Sequence, residues 1–197
     1  MTGLSRRHAL FAFGGGILAA PFMGRKALAQ FADVSKEMIL NDPAAPVTGN
    51  SKGDVTIVAF LDYNCPYCKK SAPDLDRAVK EDGKVRLVYK DWPVIRPTSI
   101  DGAKLALAAK YQDKYDTAHH ALMAIPGSGI SKDRMRKALQ AAGIDMRRLD
   151  ADMKAKSAEI ETIIQRNMAQ ADALGLTGTP TYLIGPFMTS TLDYKGF

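Results

Sequence analysis

The sequence predicts an α/β fold in which a block of helices interrupts a small sheet, and three observations carry that reading. Two runs rich in β-branched and aromatic residues, "DVTIVAFLDY" (Asp54 to Tyr63) and "KVRLVYKDWP" (Lys84 to Pro93), flank a helical stretch. After Pro97 the pattern turns helical for about eighty residues. A third apolar run, "TYLI", then returns behind a glycine-rich turn. The order is strand, helix, strand, helices, strand, so the helical block reads as an insertion.

The chain of 197 residues is long enough for one domain with a real core. Its apolar content of 46% and charged content of 24% are ordinary for a soluble globular protein. Residues 1–29 stand apart. Arg6-Arg7 precede a weakly hydrophobic, glycine-bearing run, and Ala27 to Ala29 offer small residues for cleavage, the layout of a bacterial export signal of the twin-arginine type. An uncleaved anchor is the competing reading, but the run is short and glycine-rich for a membrane span. This segment holds four of the 27 Lys and Arg and no acids, so removing it leaves 23 against 21, a charge of +2. That balance points away from nucleic acid.

Residues 30–53 read as a lead-in with one short helix, and residues 54–97 as the first part of the sheet unit. Pro66 suits the first turn of a helix that closes at Gly83, with a kink expected at Pro73. In the insertion, 98–174, Ser131 caps "SKDRMRKALQAAG", and Asp145 caps one long helix reaching about Leu174. Residues 175–197 supply the last strand.

Both cysteines of the chain lie in "DYNCPYCKK". A disulfide closing so short a loop stabilises little, which favours a chemical role over a staple. A central strand that feeds Cys-x-x-Cys at a helix start is the pattern of a thioredoxin-like βαβ unit. There the Cys65 sulfur would sit at the positive end of the helix dipole, where the thiolate is favoured and the thiol is a nucleophile. Cys68, one turn further in, would be the resolving thiol. Pro66 stiffens the turn and Tyr67 shapes the rim. A metal site needs two further ligands, and without the signal only the adjacent His119 and His120 remain, pointing to different sides of a helix. No metal is therefore expected, and one histidine should be at the surface and the other partly buried. In "GTPT", Pro180 stands at the mouth of the last strand, where a cis peptide would leave Thr179 free to pair with an extended substrate.

Taken together, "FLDYNCPYCKKSAPDL", "VRLVYKDWPV" and "LGLTGTPTYLIG" resemble the DsbA family of thioredoxin-fold thiol–disulfide oxidoreductases, over roughly residues 38–185. The resemblance is to the branch of exported bacterial DsbA family proteins, since the classical enzyme has His where this chain has Tyr67. It implies Cys65 as attacking thiol, Cys68 as resolving thiol and Thr179-Pro180 as the cis-proline loop. Two departures stand out. Relatives often carry a glutamate on the first strand where this chain has Ala59, which leaves Lys90 without a mate, and Asp62 has the wrong strand parity to substitute. Relatives also place a helix after the last strand, and "TLDYKGF" reads as its first turn only.

The expected function is a periplasmic dithiol–disulfide exchanger acting on cysteine-containing exported proteins, with a membrane redox partner that resets the couple. Its expected cofactor is none beyond the Cys65–Cys68 disulfide, and its expected state a monomer, the lead-in being too short for an oligomerisation region. The alternative is a chaperone-like or copper-handling module using the same thiols as soft ligands. The nine methionines are scattered at core spacing, which weakens it.

Overall fold

The computed structural model describes residues 34–197. The export-signal reading of residues 1–29, with cleavage after Ala29, falls outside the described residues. The chain enters through a short helix, α1 (Lys36–Leu40), capped by the Ser35 hydroxyl on the Met38 N–H. Strand β1 (Val47–Gly49) follows, then β2 (Val55–Leu61), α2 (Pro66–Asp82) and β3 (Val85–Asp91). The helical block comprises α3 (Ser99–Ala109), a 3₁₀ turn (Lys110–Gln112), α4 (Tyr115–Met123), α5 (Lys132–Ala141), α6 (Met146–Ala155) and α7 (Ser157–Ala173). The chain returns as β4 (Thr181–Ile184) and β5 (Phe187–Thr189).

The sheet order is β1-β3-β2-β4-β5, with β2 and β3 parallel and the other pairs antiparallel. The right-hand partner of β2 therefore comes from the far side of the helical insertion, which closes the sheet around its central strand. The continuous apolar run of β2 follows from burial on both faces. Ile57, Ala59 and Leu61 face α2 and the insertion, whereas Val58 and Phe60 join Ile39, Val88, Trp92 and Ala171 below. Among the described residues, no helix is long and apolar enough to cross a membrane.

Several expectations need correcting. The helix expected from Asp145 to about Leu174 is two helices, α6 and α7, because the chain leaves helical geometry at Lys156. Asp145 does cap α6, accepting from the Arg147 and Arg148 N–H groups. Helix α2 contains Pro73 within its span and ends, as expected, at Gly83, whose φ of 70° suits a residue without Cβ. Strands β1 and β5 were not legible as strands: each has three residues, and β5 follows a two-residue turn containing Gly185. Within "TLDYKGF", a single hydrogen-bonded turn forms, with Asp193 accepting from Gly196 and Phe197 N–H.

Lys90 is not without a mate. Its Nζ lies 3.1 Å from Asp42 Oδ2, and both side chains are fully buried. Arg166 of α7 adds two hydrogen bonds of 2.9 Å to the same carboxylate, and the Ala44 N–H a fourth contact. Burial alone would raise the Asp42 pKa. Lys90, the Ala44 N–H and Arg166 outweigh it and hold the carboxyl below its ordinary value. The partner came from the lead-in, across the lower face of the sheet, where strand parity on β2 gave no hint of it.

Candidate active site

Strand β2 ends at Leu61, and the next four residues turn the chain into α2. Asp62 makes that turn: Oδ1 accepts from the Asn64 N–H at 2.7 Å, and its backbone carbonyl from the Cys65 N–H at 3.0 Å. Its other oxygen takes the N–H groups of Val94 and Ile95, each at 2.8 Å. Asp62 thus serves as a backbone anchor for the loop after β3 and does not partner Lys90.

Cys65 is the N-cap of α2, Pro66 its first residue, and the Cys68 N–H points at Cys65 Sγ at 3.4 Å. Cys65 Sγ also lies 3.1 Å from the Thr179 carbonyl oxygen, to which its thiol donates. The Thr179–Pro180 bond is cis. Thr179 Oγ1 is buried beside the dithiol without a hydrogen-bond partner. Tyr67 is 63% exposed beside the dithiol, and Val94 and Ile95 are exposed on the anchored loop. The structure brings together Cys65, Pro66, Tyr67, Cys68, Thr179 and Pro180, from two segments more than a hundred residues apart.

The two thiols are unlike. The hydrogen bond from Cys68 comes first among the influences on Cys65. Burial opposes it, and the Thr179 side chain and the N–H groups of Cys68 and Tyr67 reinforce it, so its pKa falls to about 6. Burial pushes the Cys68 thiol well above its ordinary value, and the neighbouring Cys65 pushes the same way. Such a pair holds one thiolate at neutral pH and hides the other thiol. Both cysteines are free thiols in this structure.

Other polar groups behind the site were not anticipated. Ser71 Oγ lies 2.7 Å from the Tyr182 hydroxyl and bonds the Tyr67 and Cys68 carbonyls, tying β4 to the first turns of α2. Ala59 is flanked in register by Tyr89 and Tyr182, and the buried carboxyl of this sheet face is one strand over, at Asp91. Tyr115 donates to both Asp91 oxygens at 3.0 and 3.1 Å, and the Tyr63 hydroxyl lies 3.3 Å from that of Tyr115 and 3.1 Å from His119 Nδ1. His119 is buried, whereas His120 is exposed and pairs with Asp76 at 2.9 Å. Among the described residues, no group of three or more His, Cys, Asp or Glu is assembled to hold a metal.

Burial raises the Asp91 carboxyl to about 7, against hydrogen bonds from Tyr63 and Tyr115 that lower it. The folded state thus holds this proton more tightly than the unfolded chain. Its contribution to stability is complete below the ordinary carboxylate pKa and is lost as pH rises through about 7. Asp91→Asn cannot titrate, so its unfolding free energy relative to the parent should rise by about 2 kcal/mol between roughly pH 5 and 7. His119, which burial drives down to about 3, has the opposite sign and is common to both proteins. Urea denaturation at the two pH values measures the difference. A difference that does not change with pH would rule out the raised carboxyl.

Residues 41–196 match the family described as Thioredoxin. The chain belongs to that family. Among solved structures, this thioredoxin-family chain is similar to a thioredoxin-like oxidoreductase from Silicibacter pomeroyi, at 37% identity and a TM-score of 0.76, over 82% of this chain and 92% of that one. It is also similar to the thiol-disulfide exchange protein alpha-DsbA2 from Wolbachia pipientis, at 28% identity and a TM-score of 0.76, over 86% and 92% of the two chains. The resemblance to DsbA-like proteins and the thioredoxin-like fold both hold. Curated relatives include the Na(+)/H(+) antiporter NhaA 1 of Mycolicibacterium gilvum, 28% identical over 141 residues, which are 70% of this chain and 23% of that protein. The chain spans about a quarter of the length of the curated relatives it matches.

Proposed function

We propose that this protein is a thiol–disulfide oxidoreductase of an exported compartment, exchanging disulfides with cysteine-containing exported proteins through the Cys65–Cys68 couple. The observation that carries the reading is the inequality of the two thiols: a capped, depressed Cys65 facing the Thr179 carbonyl, with a buried, elevated Cys68 one turn behind. Cys65 thiolate attacks a substrate disulfide, forming a mixed disulfide and releasing one substrate thiolate. Cys68 then gives up its proton and attacks Cys65 Sγ, which releases the second substrate thiol and leaves the Cys65–Cys68 disulfide. The reverse sequence oxidises a substrate dithiol. The Thr179 backbone and the Tyr67 rim receive the extended substrate segment. The chemistry needs no cofactor beyond the couple itself, and a membrane redox partner resets it. The export signal read in residues 1–29 supports a periplasmic location.

A depressed thiolate stabilises the dithiol, which makes the disulfide easier to reduce. Equilibration with glutathione redox buffers, read by alkylation, should therefore give a potential more oxidising than the roughly −270 mV of thioredoxin, together with catalysis of insulin reduction. A Cys65–Cys68 disulfide that never forms in these buffers, or one as resistant as structural disulfides below about −300 mV, would overturn the proposal.

A further inference from the structure

Asn64 separates the Asp62 turn from Cys65, and its side chain is fully buried. Nδ2 donates to Thr98 Oγ1 at 3.1 Å and to Ser99 Oγ at 3.3 Å, so both its protons are used. Oδ1 accepts from the Ile130 N–H at 2.8 Å. Thr98 and Ser99 open α3, and Ile130 ends the glycine-bearing loop before α5. All three partners belong to the helical block and none to the sheet. One amide, whose own backbone runs directly into the N-cap of α2, therefore collects two separate points of the insertion.

The surrounding contacts run the same way. Lys69 Nζ donates to the Gly127 carbonyl at 2.8 Å, tying the same loop to α2 a second time. Gly102 of α3 lies so close to Tyr63 that a Cβ there would stand 3.0 Å from the Tyr63 Cβ. The helical block thus rests on the two residues before Cys65, by packing at Tyr63 and by hydrogen bonds at Asn64. The same turn carries the Cys65 sulfur, which takes the Cys68 N–H at 3.4 Å and faces the Thr179 carbonyl at 3.1 Å.

We propose that Asn64 is a positioning residue through which the helical insertion sets the reactivity of Cys65. Its three hydrogen bonds fix the peptide plane entering the N-cap, and with it the distances from Cys65 Sγ to the Cys68 N–H and the Thr179 loop. Its consequence for turnover rests on the exchange reading above, but its effect on the thiolate does not.

The test is the ultraviolet titration of the Cys65 thiolate, made on Cys68→Ser backgrounds so that one thiol is read, for Asn64→Ala and for the pair Thr98→Val with Ser99→Ala. Asn64→Ala should raise the midpoint by about one pH unit, a tenfold loss of thiolate below it. The Thr98/Ser99 variant should give part of that rise, and the combination less than the sum, because all three changes act on one amide. A fall in Tm with no change of midpoint in either variant would reduce Asn64 to a stabilising residue and overturn the proposal. If Asn64→Ala does not fold, an unchanged midpoint in the Thr98/Ser99 variant overturns it alone. Titration uses no substrate, so a parent protein that fails to exchange disulfides would sink the exchange reading while Asn64 is still decided.

Discussion

Cys65→Ser is expected to abolish thiol–disulfide exchange, whereas Cys68→Ser is expected to keep the attack and lose the release. The division follows from the environments of the two sulfurs. Cys65 caps α2 with its pKa drawn down to about 6, so near neutral pH most of it is thiolate. Cys68 is fully buried, with its pKa pushed well above the ordinary range, so the same pH leaves it protonated. With Cys65 drawn down to about 6 and burial pushing Cys68 well above its ordinary value, nearly all the thiolate near neutral pH is on Cys65. Brief alkylation near pH 6 should therefore label Cys65 and spare Cys68, read by mass spectrometry of the two-cysteine peptide. Cys68→Ser should accumulate mixed disulfides with disulfide-containing substrates, whose disulfide the Cys65 thiolate attacks with release of one substrate thiolate, visible as higher-mass bands that collapse on reduction. Equal labelling of the two thiols, or trapping by Cys65→Ser instead of Cys68→Ser, would reverse the assignment.

Asp42→Ala is expected to cost about 3–5 kcal/mol of folding stability, the range for breaking a buried ion pair from one side. Lys90 has no route to water: its side chain is fully buried, and its other contact is the Met38 carbonyl at 3.5 Å. Arg166, 12% exposed at the side chain, has more freedom to turn outward once the carboxylate is gone. The loss should therefore come chiefly from the stranded ammonium. Replacing both partners, Asp42→Asn with Lys90→Met, should recover most of it, since an apolar isostere in place of a buried ion is often neutral or favourable. The pH dependence has a definite sign. The Asp42 pKa is lowered in the folded state, so its contribution is present above the ordinary carboxylate value and lost as pH falls through the lowered one. Chemical denaturation of the three proteins at neutral pH gives the numbers. Equal losses in the single and double variants would show that Lys90 is not the stranded group.

Asp42 belongs to the lead-in, Lys90 to β3 and Arg166 to α7, so one carboxylate pins three segments below the sheet. Lys90 immediately precedes Asp91, which faces the opposite side and takes the Tyr115 hydroxyl. A single strand thus carries a buried cation for one face and a buried acid for the other, at adjacent residues of opposite parity.

Local sequence determined a good part of this protein. The β-branched run of β2, the turn residues after it, proline at the first position of α2 and the cysteine spacing place the dithiol at a helix N-terminus. Ser131 and Asp145 marked helix starts because a cap is a contact over three residues, wholly contained in the chain's own order. Pro180 was legible as part of the site only by pairing two distant motifs. What tertiary structure decided were contacts between residues far apart in sequence. Asp42 and Lys90 are 48 residues apart, Asn64 and Ile130 are 66 apart, and Tyr63 and His119 are 56 apart. No periodicity encodes such pairings, since a buried polar side chain is stabilised by whichever partner the folded topology delivers to it. The break at Lys156 is not encoded locally for the same reason: the apolar spacing continues across it, while α6 and α7 each pack against α3. The sequence by itself specified the position of the Cys-x-x-Cys pair at the start of α2 and the fold around it. The surroundings that make one sulfur a thiolate and keep the other a thiol exist only once the Thr179 loop and the buried interior close over them, because desolvation and hydrogen bonding are properties of place.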